Sequence, residues 1–190
     1  KATNGVPSSR NLYRQSGTPL SYRITTDAGE KDVFRADGAG GIWSASGEFG
    51  WVSNSSTFVF FARRYSDGYL FDGATTSGKN RARVSGGVWQ IGVGDTFQNA
   101  GTTTTGGWHV HTFTFTNLGA SVTAEHYVDG VLYTNVSIGA SASLGGLMLG
   151  RDVAQGNSIQ ADMAEVVIYN RKIGAAERQN VEAYLTNKWA

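Results

Sequence analysis

The chain has 190 residues and a formal net charge of +1, from 16 Lys and Arg against 15 Asp and Glu, with 40% hydrophobic and 12% aromatic residues. A chain of this size can bury roughly 70% of its surface, so one domain with its own core is expected, and disorder and coiled coil are excluded. Zero Cys removes disulfide frameworks, thiolate zinc sites and Cys nucleophiles, and the near-neutral charge removes the basic field that dominates nucleic-acid binding.

Residues 1–10 lack the apolar stretch of a signal peptide, and no later run approaches the roughly 18 apolar residues that span a bilayer. The 26 Gly, together with abundant Thr and Ser, suggest a secreted or cell-surface β protein. From residue 20 onward, runs of Val, Ile, Phe, Tyr, Trp and Thr are punctuated by Gly, Asn, Asp or Ser. They predict strands over 20–25, 32–36, 42–45, 56–65, 68–71, 81–85, 88–93, 108–116, 121–128, 131–137, 146–149 and 161–169.

Along 109–116 the period of two places His109, His111, Phe113 and Phe115 on one face, which must meet a core. The polar run 101–107 reads as a surface loop. In Tyr127-Val128-Asp129-Gly130-Val131-Leu132-Tyr133, Asp-Gly between two apolar runs predicts a two-residue hairpin. Asp162 and Glu165, three apart on a regular strand, should point to opposite faces. Over 175–189 the period lengthens: Val181, Tyr184, Leu185 and Trp189 form one stripe of an amphipathic helix, with Glu177 early and Lys188 late to suit its dipole.

A dozen short antiparallel strands must hide their edges, which a jelly roll or a closed barrel does, and a packed terminal helix favours the sandwich. The segment Ala161-Asp162-Met163-Ala164-Glu165-Val166-Val167-Ile168-Tyr169-Asn170-Arg171-Lys172-Ile173, then Val181-Glu182-Ala183-Tyr184-Leu185 and Lys188-Trp189, resembles the closing strand and helix of laminin G-like, concanavalin A-like jelly-roll modules. Phe34-Arg35-Ala36-Asp37-Gly38, Gly68-Tyr69-Leu70-Phe71-Asp72-Gly73, the Trp108 strand and the Asp129-Gly130 hairpin follow in the order such modules show. The resemblance covers about residues 20–190 and implies an all-β, two-sheet antiparallel jelly-roll sandwich with a C-terminal α-helix. The whole chain, 1–190, is then one domain, with 1–19 as an N-terminal segment outside the resemblance. It also implies a structural Ca²⁺ held by Asp162, with Asp37 of the Asp37-Gly38 turn nearby, since such sites use carboxylate and carbonyl oxygens.

Catalytic members of the class carry recognisable patterns. Laminarinase-type glucanases need Glu-x-Asp-x-x-Glu along one strand, which supplies the two carboxyl groups about 5 Å apart that retaining chemistry requires. The acidic residues here, such as Glu125, Asp129, Asp162 and Glu165, lie singly. The Gln-x-His and Tyr-rich strands of alginate lyases are missing as well. His109 and His111 share a face and could ligate a metal or exchange protons, but their phase with Phe113 and Phe115 favours a structural role, and His126 has no partner by spacing.

Sugar binding needs aromatic faces and planar hydrogen-bonding groups. Arg63, Tyr65 and Tyr69 lie where one strand turns into the next, Arg81 and Arg83 share a strand face, and Trp43 borders the small-residue loop 44–50. These six are the candidate ligand-binding residues, with Asp37 and Asp162 as metal candidates. The expectation is a non-catalytic, lectin-like carbohydrate-binding module of a larger secreted or cell-surface protein. Its partners would be a glycan or polysaccharide and the other domains of the parent, with no nucleic acid and no membrane insertion. A structural or protein-adhesion module is the alternative, and a polysaccharide-degrading enzyme is the third reading.

Overall fold

The structure, a computed structural model, describes residues 13–16, 20–26, 29–39, 41–44, 55–73, 80–102, 105–139, 146–154 and 156–189. Its strands are β1 (Tyr13–Ser16), β2 (Leu20–Thr26), β3 (Gly29–Asp37), β4 (Gly41–Ser44), β5 (Ser56–Arg64), β6 (Gly68–Asp72) and β7 (Asn80–Ser85). Then come β8 (Val88–Val93), β9 (Thr96–Thr102), β10 (His109–Asn117), β11 (Val122–Val128), β12 (Val131–Ile138), β13 (Leu147–Leu149) and β14 (Gln160–Tyr169), followed by helix α1 (Ala175–Trp189). The strands form two seven-stranded sheets, ordered β1-β4-β13-β6-β7-β8-β9 and β12-β11-β10-β5-β14-β3-β2, with antiparallel ladders throughout. This is the expected two-sheet jelly-roll sandwich with its C-terminal helix.

The inner faces of both sheets meet in an aromatic core. Phe58 stacks on Phe71 with ring centroids 4.4 Å apart, and Phe113 meets Phe71 edge-on at 5.5 Å. Each such ring is fully buried and contributes roughly 1.5–3 kcal/mol by leaving water. Strand β5 reads Ser-Thr-Phe-Val-Phe-Phe-Ala because both of its faces are covered, one by the opposite sheet and one by α1. On that outer face Val33, Val59, Phe61 and Val110 receive Leu185 and Trp189 of the helix.

The helix departs from its expected stripe. Arg178 and Glu182 are buried beneath it, paired at 2.7 Å, while Tyr184 is exposed. Glu182 Oε1 accepts a hydrogen bond from Thr112 Oγ1 at 2.7 Å, and the Arg178 guanidinium lies 3.8 Å from the centre of the Tyr127 ring. The sheet beneath presents Thr112 and Tyr127 as well as aliphatic residues, so a polar pair satisfies it where an apolar stripe would not.

Other expectations divide. The hairpin is as read, with Asp129 at φ +49° and Gly130 at φ +81°, and the Asp129 carboxylate additionally accepts from Val110 N and contacts His109 Nδ1 at 2.7 Å. Strand β1 pairs with β4, so part of the N-terminal segment belongs to the sandwich. Strand β9 takes Gly101 and Thr102 from the expected loop, and it escaped the sequence reading because an edge strand with polar side chains has little apolar alternation. A bulge between Met163 and Glu165 brings Asp162 and Glu165 to the same outer face, contrary to the three-residue spacing rule.

His126, expected to stand alone, lies beside His111 on the neighbouring strand, buried between the sheets. Its Nδ1 is 3.2 Å from the Ala100 carbonyl, which only accepts, so Nδ1 carries the proton and Nε2 accepts from His111 Nδ1 at 3.2 Å. Burial pushes His126 down from 6.5 to about 4 and His111 well below its ordinary value, the latter aided by the neighbouring His126. Both are neutral in the folded protein, whereas the unfolded chain takes up protons from 6.5 downward. Stability is therefore fully present above pH 6.5 and is lost as pH falls towards 4, by up to about 1.4 kcal/mol per pH unit for each imidazole. Thermal melts across this range should show a falling Tm, and His126→Gln should flatten that slope; an unchanged slope in the variant contradicts the assignment.

Candidate functional site

On the outer face of the first sheet, strand register lines up polar side chains in a row. Tyr69 on β6 is opposite Arg83 on β7, Arg83 is opposite Gln90 on β8, and Gln90 is opposite Asn99 on β9. They are joined in that order: Arg83 Nη1 donates to the Tyr69 hydroxyl at 3.3 Å, Arg83 Nε to Gln90 Oε1 at 2.7 Å, and Gln90 Nε2 to Asn99 Oδ1 at 3.2 Å. In the next row Arg81, Gly92 and Phe97 are neighbours. The Phe97 ring lies over Gly92, where a Cβ would come within 2.6 Å of it. The guanidiniums of Arg81 and Arg83 sit 4.6 and 3.8 Å from the ring centre. Arg81 is also held by Asp95 at 2.9 Å and faces Asp72 at 3.8 Å.

This row runs into a cleft of about 270 Å³, whose polar walls include Asp67, Arg83, Ser85, Asn157 and Ser158. The far wall is the segment leading into β14. Gly68, at φ +138°, lets β6 approach it so closely that a Cβ would meet Ile159 N at 2.5 Å, and Tyr69 N donates to the Asn157 carbonyl at 3.0 Å. Asp67 accepts from Gly87 N at 3.2 Å and lies 3.7 Å from Arg64 Nη1. Tyr69 is 4% exposed, and burial raises its phenol above the ordinary value against the opposing pull of Arg81 and Arg83, so it stays protonated. It supplies a hydroxyl to the wall and no open ring face, which corrects the expectation of Tyr69 as a stacking platform.

Arg63 and Tyr65 go elsewhere. On the outer face of the second sheet, Asp162 of β14 is opposite Arg35 of β3 on one side and Arg63 of β5 on the other. Arg35 grips it through Nε at 2.6 Å and Nη2 at 2.8 Å, Arg63 Nε donates at 2.8 Å and the Tyr65 hydroxyl at 2.8 Å. Arg63 also lies 4.9 Å from the Trp108 ring centre, and Trp108 stacks on Phe61. Asp162 is 0% exposed and its two oxygens take four donors, two guanidiniums among its partners, so it does not fit the calcium-ligand role expected of it. Asp37 Oδ1 accepts from Ala39 N at 2.9 Å, as an ordinary turn-capping carboxylate does.

Five of the six expected ligand-binding residues are thus split between the outer faces of the two sheets. Tyr69, Arg81 and Arg83 converge; Arg63 and Tyr65 form a second cluster; Trp43 pairs through its backbone with Met148, and its side chain lies outside the described residues, as does Trp51. Sequence reasoning missed Phe97, Gln90 and Asn99, whose strand partners are set by register, and Asp67 and Asn157, which meet across 90 residues of sequence.

A laminin G-type family model of the concanavalin A-like lectin/glucanases superfamily matches residues 4–177. The chain belongs to that superfamily. The match reaches back into the N-terminal segment that the sequence reading left outside, in keeping with β1. Comparison with curated proteins finds no match. Among solved structures, the chain resembles botulinum neurotoxin type C, a toxin dependent on interaction with two ganglioside molecules for cell uptake, at TM-score 0.67 and 8% identity, covering 92% of this chain and 46% of the toxin chain. It also resembles domain 4 of AbnA, an extracellular arabinanase from Geobacillus stearothermophilus, in complex with arabinotriose, at TM-score 0.66 and 14% identity, covering 90% of this chain and 87% of that one. A Trypanosoma rangeli sialidase in complex with sialic acid matches at TM-score 0.63 and 14% identity, with 83% of this chain and 28% of that chain covered. The chain thus spans about half the length, 46%, of the toxin chain, and these likenesses show a shared fold.

Within this member of the superfamily, Asp162 acts as a buried anion between two cations. Asp162→Ala, which leaves Arg35 and Arg63 facing each other, should cost about 3–5 kcal/mol. The loss of Tm should be equal with Ca²⁺ and with EDTA; a Ca²⁺-dependent difference between the variant and the parent would restore the metal role.

Proposed function

We propose that the chain is a non-catalytic carbohydrate-binding module of a larger secreted or cell-surface protein, seating saccharide in the cleft between β6, β7 and residues 156–158. The observation that carries this is the cleft's lining, where a carboxylate, a guanidinium, a carboxamide and hydroxyls converge from Asp67, Arg83, Asn157, Ser85 and Ser158. A sugar's rim of hydroxyls both donates and accepts, and this set answers both needs. The superfamily, and the likeness to an arabinanase domain in complex with arabinotriose, support the same reading. With Tyr69 buried, recognition rests on hydrogen bonds worth roughly 0.5–1.5 kcal/mol each, so affinity is modest and gains from repeated copies.

The non-catalytic part is supported by the missing Glu-x-Asp-x-x-Glu pattern and by how the acids are used. Burial alone would raise Glu125, but Lys172 and Thr114 outweigh it and hold the carboxyl below its ordinary value. The same balance, with Lys188 and the Trp189 indole as donors, lowers Glu165. Neither has the raised value a general acid needs at neutral pH.

A polysaccharide affinity-gel and glycan-array screen tests the proposal. Retardation by at least one glycan, weakened about tenfold or more by Asp67→Ala and by Asn157→Ala with Tm retained, is expected if each removes one or two of these bonds. Binding that survives both substitutions places the site elsewhere. A protein-adhesion role is the second reading, favoured by edge strand β12, where Val131, Leu132 and Tyr133 are 64%, 48% and 48% exposed.

A further inference from the structure

The cleft's charges are not matched in kind. Arg64 faces Asp67, Arg81 is held between Asp72 and Asp95, and Arg35 and Arg63 share Asp162. On more distant surfaces Arg171 pairs with Glu177, Lys172 with Glu125 and Lys188 with Glu165. Arg83 makes no ion pair among the described residues: its contacts are the Gln90 amide, the Tyr69 hydroxyl and the faces of Tyr69 and Phe97, all neutral.

This guanidinium is also held in place. Nε and Nη1 are anchored to two strands and the plane lies 3.8 Å from the Phe97 ring centre, so little side-chain freedom is left to lose on binding. Nη2 has no acceptor among the described residues. The Asp67 carboxylate, which also lines the cleft, is already met by Gly87 N and Arg64, and the Asp152 carboxylate behind the wall is taken up by the N–H groups of Gly156 and Asn157, so Arg83 is the lining charge without an opposite charge beside it among the described residues.

We propose that the ligand of the cleft is an acidic saccharide whose carboxylate or sulfate pairs with Arg83, while its hydroxyls meet Asp67, Asn157 and the two serines. The inference rests on the carbohydrate reading above and narrows it to charged sugars.

Calorimetric titration of the full chain with oligogalacturonate and with its methyl ester changes the ligand's charge while leaving the sugar ring and its hydroxyls in place. A sulfated oligosaccharide and its desulfated form make a second pair, and the pair showing the larger difference identifies the anionic group. The acid form should bind about tenfold more tightly than its neutral counterpart in at least one pair, the usual gain for a charge-assisted bond over a neutral one. That preference should shrink at high salt, vanish in Arg83→Gln, persist in part in Arg83→Lys and be unchanged in Arg171→Gln. The ligand comparison uses the parent chain, so it stands even if Arg83→Gln folds poorly. Equal affinity for charged and neutral forms, or a preference that Arg83→Gln leaves intact, overturns the inference while the carbohydrate reading survives. Binding of none of these saccharides, nor of any glycan in the wider screen, overturns both.

Discussion

The Asp162 carboxylate, at the junction of three strands, sets how the chain closes. Strand β14 is late in sequence but central in its sheet, between β5 and β3, so its register must be chosen against two partners at once. Burying a carboxylate between two guanidiniums penalises any slip, because a shift of one residue would put the charge on the apolar inner face and leave both arginines unpaired. Once Asp162 is seated, the residues before it have little choice. The Gln160 carbonyl accepts from Tyr65 N at 2.7 Å, Gln160 N donates to Ser66 Oγ at 2.8 Å, and Asn157 and Ser158 fall against β6. The cleft wall is therefore an extension of the strand register that Asp162 pins.

Polar ties in this protein lie mostly outside the aromatic core and decide orientation, whereas the core supplies the driving force. The Phe rings of β5, β6 and β10 would tolerate small shifts of one sheet over the other. The Arg178–Glu182 pair, bonded to Thr112, fixes α1 on the outer face of its own sheet, and the His111–His126–Ala100 chain between the sheets resists sliding, since each loses defined hydrogen bonds on a shift. The second of these also links β11 of one sheet to β9 of the other through one imidazole.

For the proposed function, the consequence is a cleft whose polar groups stand on paired strands and a short, hydrogen-bonded segment. Asp152 accepts from Gly156 N at 2.7 Å and from Asn157 Nδ2 at 2.9 Å, which orders the wall before any ligand arrives. Arg83 is fixed by the row Tyr69-Arg83-Gln90-Asn99 in the same way. A shallow site of this kind gains selectivity from placement, because groups that need no rearrangement lose little entropy on binding.

Much of the fold was legible from the residues. Strand periodicity, the Asp129-Gly130 turn and the spacing of Val181, Leu185 and Trp189 are local signals that short-range sterics and burial enforce. The same locality explains the failures: β9 has a single partner and few apolar residues, the β14 bulge reverses a face without a sequence mark, and His126 finds His111 across a hairpin. Of the candidate site, Tyr69, Arg81 and Arg83 were found because they follow strand alternation, yet Arg63 and Tyr65 belong to a different face and Asp162 to an ion cluster. The sequence by itself determined which segments become strands and helix, since those choices depend on neighbours two to four residues away. Which side chains share a face, which charges are neutralised and where the cleft opens were decided only by tertiary structure, because strand order and register join residues up to 127 positions apart.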